Sequence, residues 1–498
     1  MMERKEISRR RGTILHGWSV ATLAWIALAG ASISPAHAQS TVAQEIRSAL
    51  SALPHPQTVL GACVIDMSSG SVIFEQDADK PLVPASNQKV FTMATALAVL
   101  GPEFEFTTTL ATDGLNLFLV GDGDPALGDE KLCSARGESI TAVFEEWADR
   151  LVQGGTQSIP GDLVIDESIF GDVRTHPTWE ERDLDNWYAA PVGGLNFNNN
   201  CVDITIHPAT AHGAPVLVTV EPPNSLAEFI NKCETRAPAK PVLRHQHDTF
   251  QYLLSGTCNK KWSFGSVSFP KPGLLTADAL RSVLANRGIN LAGIIRRDRV
   301  RLPDGALPAN LTIIGQHHTP LADVLNRAGK NSQNMFAECL IKRTGYAWAV
   351  QQGATDPAGS WELGSEAVLY TLRSAGIDVT ELTIADGSGL SRYNWCTARQ
   401  LTEVLAWIAR KPGGRLFFDS LSIAGVDGSL KKRLKDMPGK VRGKTGTMRN
   451  IRTLSGYADR DGGGRYAFAM MFNGYKGPST PYKEIQDRIC RALVRGSR

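Results

Sequence analysis

Apolar positions along the chain change period several times, and each change predicts an element. Residues 42–53 (VAQEIRSALSAL) place Ile46, Leu50 and Leu53 on one helical face. Residues 58–66 (TVLGACVID) and 71–75 (SVIFE) read as strands, with Met67-Ser68-Ser69-Gly70 as the hairpin turn between them. A helical run follows in residues 84–101 (PASNQKVFTMATALAVLG). There Val90, Met93, Leu97 and Leu100 form a buried stripe, and Gly101 suits the C-terminal end. The other end of the chain mirrors this order. Residues 452–458 (RTLSGYA) and 466–473 (YAFAMMFN) read as strands around the turn 459–464 (DRDGGG). Thr480-Pro481 then opens a helix striped by Ile485, Ile489 and Leu493. The pattern predicts an antiparallel sheet built from both chain ends and packed by both terminal helices.

The middle differs. Residues 105–311 are rich in Gly, Pro and Asn and carry short β-like runs: 115–120 (LNLFLV), 162–166 (DLVID), 202–207 (VDITIH) and 215–220 (PVLVTV). Helical pattern is sparse there until 276–287 (TADALRSVLANR). Helices return at 320–328, 334–342, 360–375 and 398–410. The expected fold class is therefore α+β. Residues 39–104 plus 312–498 form one domain, and residues 105–311 form an inserted mainly-β region of two subdomains. No internal repeat or low-complexity tract interrupts this division.

Composition adds limits. The 498 residues are 42% hydrophobic and 21% charged, enough for a large core. The net charge of +3, from 53 basic and 50 acidic side chains, gives no reason to expect nucleic acid as a partner. The N-terminus is basic to Arg11, then largely apolar and free of Asp, Glu, Lys and Arg until Glu45, and reaches Ala36-His37-Ala38. That order predicts a signal peptide over residues 1–38, with export to the periplasm. A retained anchor is the alternative, and loose membrane association and the Sec or Tat route stay open. Eight cysteines contain no C-x-x-C pair, which argues against a zinc knuckle. Export permits disulfides, and Cys233 with Cys258 makes one expected bridge, with the connectivity as a whole left open. No cofactor or metal is implied.

The candidate chemistry is a nucleophilic serine. Ser86-x-x-Lys89 opens the helical run at 84–101, Ser332-x-Asn334 sits between two helices, and Lys444-Thr445-Gly446 precedes a strand. Each pattern alone is common, but the ordered set matches that of penicillin-recognising serine acyltransferases. Residues three apart on a helix share a face, so the Lys89 amine can reach the Ser86 hydroxyl. Burial and a second cation, Lys444, would favour the neutral amine a base needs. A serine at a helix start also aims its own N–H toward a developing oxyanion. A second match, Ser429-x-x-Lys432, lies in a basic run with no apolar helix behind it and is assigned to structure or surface.

Further segments strengthen the match: 121–125 (GDGDP), 188–191 (YAAP), 386–391 (DGSGLS) followed by Arg392 and Asn394, 424–430 (AGVDGSL) and 441–448 (VRGKTGTM). With these, the chain resembles the low-molecular-mass class C penicillin-binding proteins, periplasmic D-alanyl-D-alanine carboxypeptidase/endopeptidases. The resemblance implies a penicillin-binding-protein/serine β-lactamase-like transpeptidase domain carrying the inserted region. It implies peptidoglycan stem peptides as substrates and β-lactams as covalent inhibitors. By resemblance Ser86 is the acylated nucleophile, Lys89 its base, and Ser332 and Asn334 the proton-relay and substrate-amide groups. Lys444 and Thr445 bind the substrate carboxylate, and Gly446 lets the strand approach the substrate. Ser86 and Thr447 supply the oxyanion N–H groups. Asp183, or Asp185 close to it, receives a side-chain amine of the stem peptide, and Met448 lines that pocket. Gln333 departs from the Asp common at the middle of the second motif. A serine β-lactamase and a catalytically inactive muropeptide-binding protein are the rival readings.

Overall fold

A computed structural model describes residues 35–246 and 249–496. Its central sheet has six antiparallel strands. Their order is Ser422–Ile423, Val441–Met448, Ile451–Asp459, Arg465–Asn473, Val59–Asp66 and Val72–Gln76. Val59 lies opposite Asn473 and Asp66 opposite Tyr466, so the two chain ends meet inside one sheet, as the pattern predicts.

Strand alternation divides the core between the two faces. Leu60, Ala62 and Val64, with Phe468, Met470 and Phe472, pack against Ile46 and Leu50 of helix Pro35–Leu50. Ile485, Ile489 and Leu493 of helix Thr480–Arg495 complete this layer. Cys63, Ile65, Ala467, Ala469 and Met471 face the other way, onto helices Gln88–Leu100, Asn334–Gln351 and Ala398–Ile408. Burying each large side chain contributes roughly 1.5–3 kcal/mol, so these layers hold the sheet edge that carries the motifs. The first helix ends at Leu50 rather than residue 53. The expected signal peptide lies almost wholly outside the described residues.

The second body is a five-stranded sheet ordered Ile295–Arg297, Leu163–Asp166, Leu117–Val120, Glu105–Thr112 and Thr312–Pro320. Thr312–Pro320, expected on the far side of the insertion boundary, pairs with Glu105–Thr112 and so completes this sheet. Two three-stranded sheets follow, Trp262–Ser268 with Cys201–His207 and Leu217–Glu221, and Lys240–His245 with Gln251–Thr257 and Glu228–Glu234.

Two helices in this region, Glu130–Arg136 and Ala142–Gln153, were not expected. The second is amphipathic, and its Phe144, Trp147, Ala148 and Leu151 pack with Leu280 and Leu284 of helix Pro272–Asn286. Its signal was present but isolated among Gly- and Asn-rich loops.

The expected Cys233–Cys258 bridge is not made. All eight cysteines are buried and free, and the Cys258 thiol donates instead to the Lys260 carbonyl at 2.9 Å. Among the described residues no helix is long and apolar enough to cross a membrane.

Candidate active site

Ser86 sits in a single 3-10 turn, Ala85–Asn87, that runs directly into helix Gln88–Leu100. The turn is strained: Ala85 has φ of 48°, a conformation costing about 1–2 kcal/mol for a residue with a Cβ. The surroundings hold it there. The fully buried Asn87 side chain donates to Thr453 and accepts from Ser455 on the neighbouring strand, and Thr453 donates to the Pro84 carbonyl at 2.8 Å. On the other side Gly389, at φ 83°, lies so close that an added Cβ would stand 1.9 Å from the Ala85 carbonyl oxygen.

Lys89 follows three residues on and is fully buried. Its amine lies 2.7 Å from Asn334 Oδ1, 2.8 Å from the Ser388 carbonyl and 3.4 Å from Ser86 Oγ. Burial pushes the amine down to about 8, against the raising influence of Glu338 and Asp386. Lys444 is fully buried on the strand Val441–Met448 and donates to Ser332 Oγ at 2.7 Å and to the Thr445 carbonyl at 2.9 Å. Burial first, and then Lys89, hold it well below the ordinary lysine range.

The second motif is fixed by a change of direction between helices. Ser332, at φ 57°, turns the chain from helix Leu321–Lys330 into helix Asn334–Gln351. Gln333 takes the N-cap position, accepts from the Asn334 N–H and donates to Asn199 Oδ1 at 2.8 Å. The departure from Asp thus anchors Asn334 to the inserted region. Asn334 Nδ2 donates to the Tyr188 carbonyl at 2.7 Å, which leaves Oδ1 for Lys89.

All three motifs therefore converge. Ser86, Ser332, Asn334, Thr445, Thr447, Met448 and Asp183 line one cavity of about 570 Å³. A larger hollow, about 720 Å³, lies between the terminal helices beside Glu45, Arg488 and Arg495 and holds no motif residue.

Asp183 and Asp185 separate. Asp183 lines the cavity and accepts from the Tyr188 hydroxyl at 2.9 Å, whereas Asp185 lies 3.6 Å from His245. Burial, reinforced by Asp183, pushes the Tyr188 hydroxyl up to about 12, so it stays a donor.

Gly446 is closely approached by the Ser86 turn and by its strand neighbour. A Cβ there would lie 2.0 Å from Thr453 Oγ1 and 2.8 Å from the Pro84 carbonyl, so its bare backbone faces the Ser86 turn.

Ser429, assigned to structure or surface, is structural. It accepts from Thr445 Oγ1 at 2.8 Å, so it braces the third motif, although Lys432 is exposed. The sequence reading also missed Glu180, Arg182, Trp187 and Arg449 on the cavity wall, and the buried Glu338. None belongs to a short motif, so no spacing could have singled them out. Among the described residues no group of three His, Cys, Asp or Glu side chains is placed to hold a metal ion.

A sheet made from both chain ends, with a serine turn and buried helix against its edge, is the penicillin-binding and serine β-lactamase-like fold. The structure of penicillin-binding protein 4 (dacB) from Haemophilus influenzae superposes with a TM-score of 0.75 at 25% identity, covering 90% of this chain and 99% of that one. The chain belongs to the D-Ala-D-Ala carboxypeptidase 3 (S13) family, whose model matches residues 42–494, and so to the low-molecular-mass class C penicillin-binding proteins. It is 29% identical to a D-alanyl-D-alanine carboxypeptidase of Actinomadura sp., over 94% of this chain and 88% of that protein. It is 27% identical to the D-alanyl-D-alanine carboxypeptidase DacB of Haemophilus influenzae, over 85% and 87%.

Proposed function

We propose that the chain is a serine D-alanyl-D-alanine carboxypeptidase and D,D-endopeptidase that cleaves peptidoglycan stem peptides through an acyl-enzyme on Ser86. The surroundings of Lys89 carry this reading. A neutral amine has two N–H bonds and one lone pair. Asn334 Oδ1 and the Ser388 carbonyl take the two hydrogens, and Ser86 Oγ is the third neighbour. The lone pair then faces the hydroxyl it must deprotonate.

Ser86 Oγ attacks the carbonyl of the penultimate D-alanine and gives its proton to Lys89. The N–H groups of Ser86 and Thr447 receive the oxyanion. Lys444 and Thr445 bind the terminal carboxylate, whose charge favours protonation of Lys444. Ser332 and Lys444 then relay a proton to the departing amine, free D-alanine or a cross-linked side chain. Water adds to the ester carbonyl and gives its proton to the Ser332–Lys444 pair, while Lys89 returns its proton to Ser86 Oγ as the acid leaves. Asn334 holds the substrate amide. Asp183, with Met448 beside it, receives the stem side-chain amine. In this reading residues 39–104 plus 312–498, less the strand Thr312–Pro320 that completes the inserted sheet, are the catalytic unit, and residues 105–311 supply Asp183 and Tyr188 to it. Residues 1–38 export the enzyme to the periplasm, and β-lactams acylate Ser86.

A fluorescent penicillin followed by a denaturing gel tests this. A stable adduct that disappears in Ser86→Ala supports it. Turnover without an adduct points to a β-lactamase, and no reaction with muropeptide still bound points to an inactive binding protein. The rate should also depend on pH with a defined sign. Lys89 is a base only when neutral, so the second-order acylation rate should rise as pH passes through about 8 and fall below it. A flat profile between pH 6 and 9 would remove Lys89 from this role.

A further inference from the structure

The second acceptor for Lys89 is a backbone carbonyl in the loop between helices Trp361–Ser374 and Ala398–Ile408. A loop carbonyl is fixed only as well as the peptides around it. Here they are clamped by one side chain. Glu338 is fully buried one turn beyond Asn334 on the same helix, so the two share a face. Its Oε1 accepts from the Ser388 N–H at 2.8 Å. Its Oε2 accepts from the Gly387 N–H and from Trp361 Nε1, both at 2.8 Å. Asn334 thus meets the Lys89 amine directly, and Glu338 meets it through Ser388.

We propose that Glu338 is a positioning residue for acylation, clamping Gly387 and Ser388 so that the Ser388 carbonyl holds the Lys89 amine opposite Ser86. This rests on reading Ser86 as the nucleophile and Lys89 as its base. A carboxylate remote from Lys89 that only capped loop N–H groups would leave the titration of that lysine unchanged, so the acid limb reads the proximity of Glu338 and the plateau reads how well the amine is aimed.

The charged groups around Glu338 define that effect. Lys89 faces it from the serine helix, Asp386 from the loop and Lys342 from its own helix. Beyond these, Lys444 faces Lys89, His176 faces Asp386, and Arg174 and Glu362 face Lys342. Burial and Asp386 push the Glu338 carboxyl up, against its three hydrogen bonds. Its charge opposes deprotonation of Lys89 while its geometry aims the amine.

Glu338→Gln removes the charge and turns an NH₂ toward at least one of the three N–H donors. Glu338→Asp keeps the charge but withdraws it by one methylene. The test is the second-order acylation rate by a fluorescent penicillin from pH 5 to 10, on the full chain. In Glu338→Gln the acid limb should move down by on the order of one pH unit. Its plateau should fall roughly tenfold or more, with the non-covalent affinity little changed. Glu338→Asp should keep the limb and recover part of the plateau. Leu372→Ala, a cavity in the neighbouring helix, should lower the melting temperature and move neither. A wild-type limb and plateau in Glu338→Gln overturns the proposal. So does a wild-type plateau in Glu338→Asp, which decides the matter if Glu338→Gln does not fold, or a Leu372→Ala profile like that of Glu338→Gln. If the wild type forms no adduct, or Ser86→Ala does, the nucleophile reading fails instead.

Discussion

Lys89→Ala is expected to lower β-lactam acylation by on the order of 10²–10⁴-fold, whereas Lys432→Ala should stay near wild type. The two lysines belong to the same short pattern, three residues after a serine, and differ only in surroundings. Lys89 is fully buried, and its amine touches Asn334, Ser388 and Ser86. Lys432 is exposed. An alanine at position 89 removes the proton acceptor and leaves Asn334 Oδ1 and the Ser388 carbonyl without the amine between them, while the cavity lining is untouched. Stopped-flow acylation, with β-lactam binding measured separately, should show the loss in the chemical step. A loss confined to binding, or a larger loss in Lys432→Ala, would mean that the wrong pair was chosen.

Gly446→Ala should be almost as damaging, for a purely steric reason. The added methyl would stand 2.0 Å from Thr453 Oγ1, 2.8 Å from the Pro84 carbonyl and 3.0 Å from Asn87 Nδ2. Those three atoms are the lock that holds the strained Ser86 turn. None is the free end of a flexible side chain, so the turn or the strand must move. The expected cost is about 1–3 kcal/mol of stability. Acylation should fall on the order of 10²-fold, because a 1 Å misplacement of a reacting group costs that much. Thermal unfolding and acylation rates of the variant check both numbers, and a fully active Gly446→Ala would show that the contact relaxes at little cost.

Much of this was legible in the chain. The middle of the central sheet could be read because its inner strands are buried on both faces, most plainly in the unbroken apolar run 466–472. The motif serine could be told from Ser429 by the apolar helix behind it. What escaped notice depends on contacts between distant segments. Asp183 could not be separated from Asp185 because His245 draws the latter away. The crowding of Gly446 by the Pro84 carbonyl is not legible in the sequence, because the two lie in distant segments. Glu338 lies in a helix whose pattern marks it only as a polar position in a buried stretch, and its partners come from a loop about 50 residues downstream. Helix Ala142–Gln153 was overlooked because a single amphipathic stripe among short β-like runs carries little weight without its packing partner.

The central claim is that Ser86 carries the acyl group, and Ser429 now provides a close control. Both serines head a Ser-x-x-Lys pattern, and Ser429 lies one hydrogen bond from Thr445 at the same site. Peptide mapping by mass spectrometry after brief exposure to a penicillin tells them apart. The account predicts one adduct, on the peptide containing Ser86, and none in Ser86→Ala. An adduct on the Ser429 peptide, or an unmodified Ser86 peptide in fully inhibited enzyme, would contradict it.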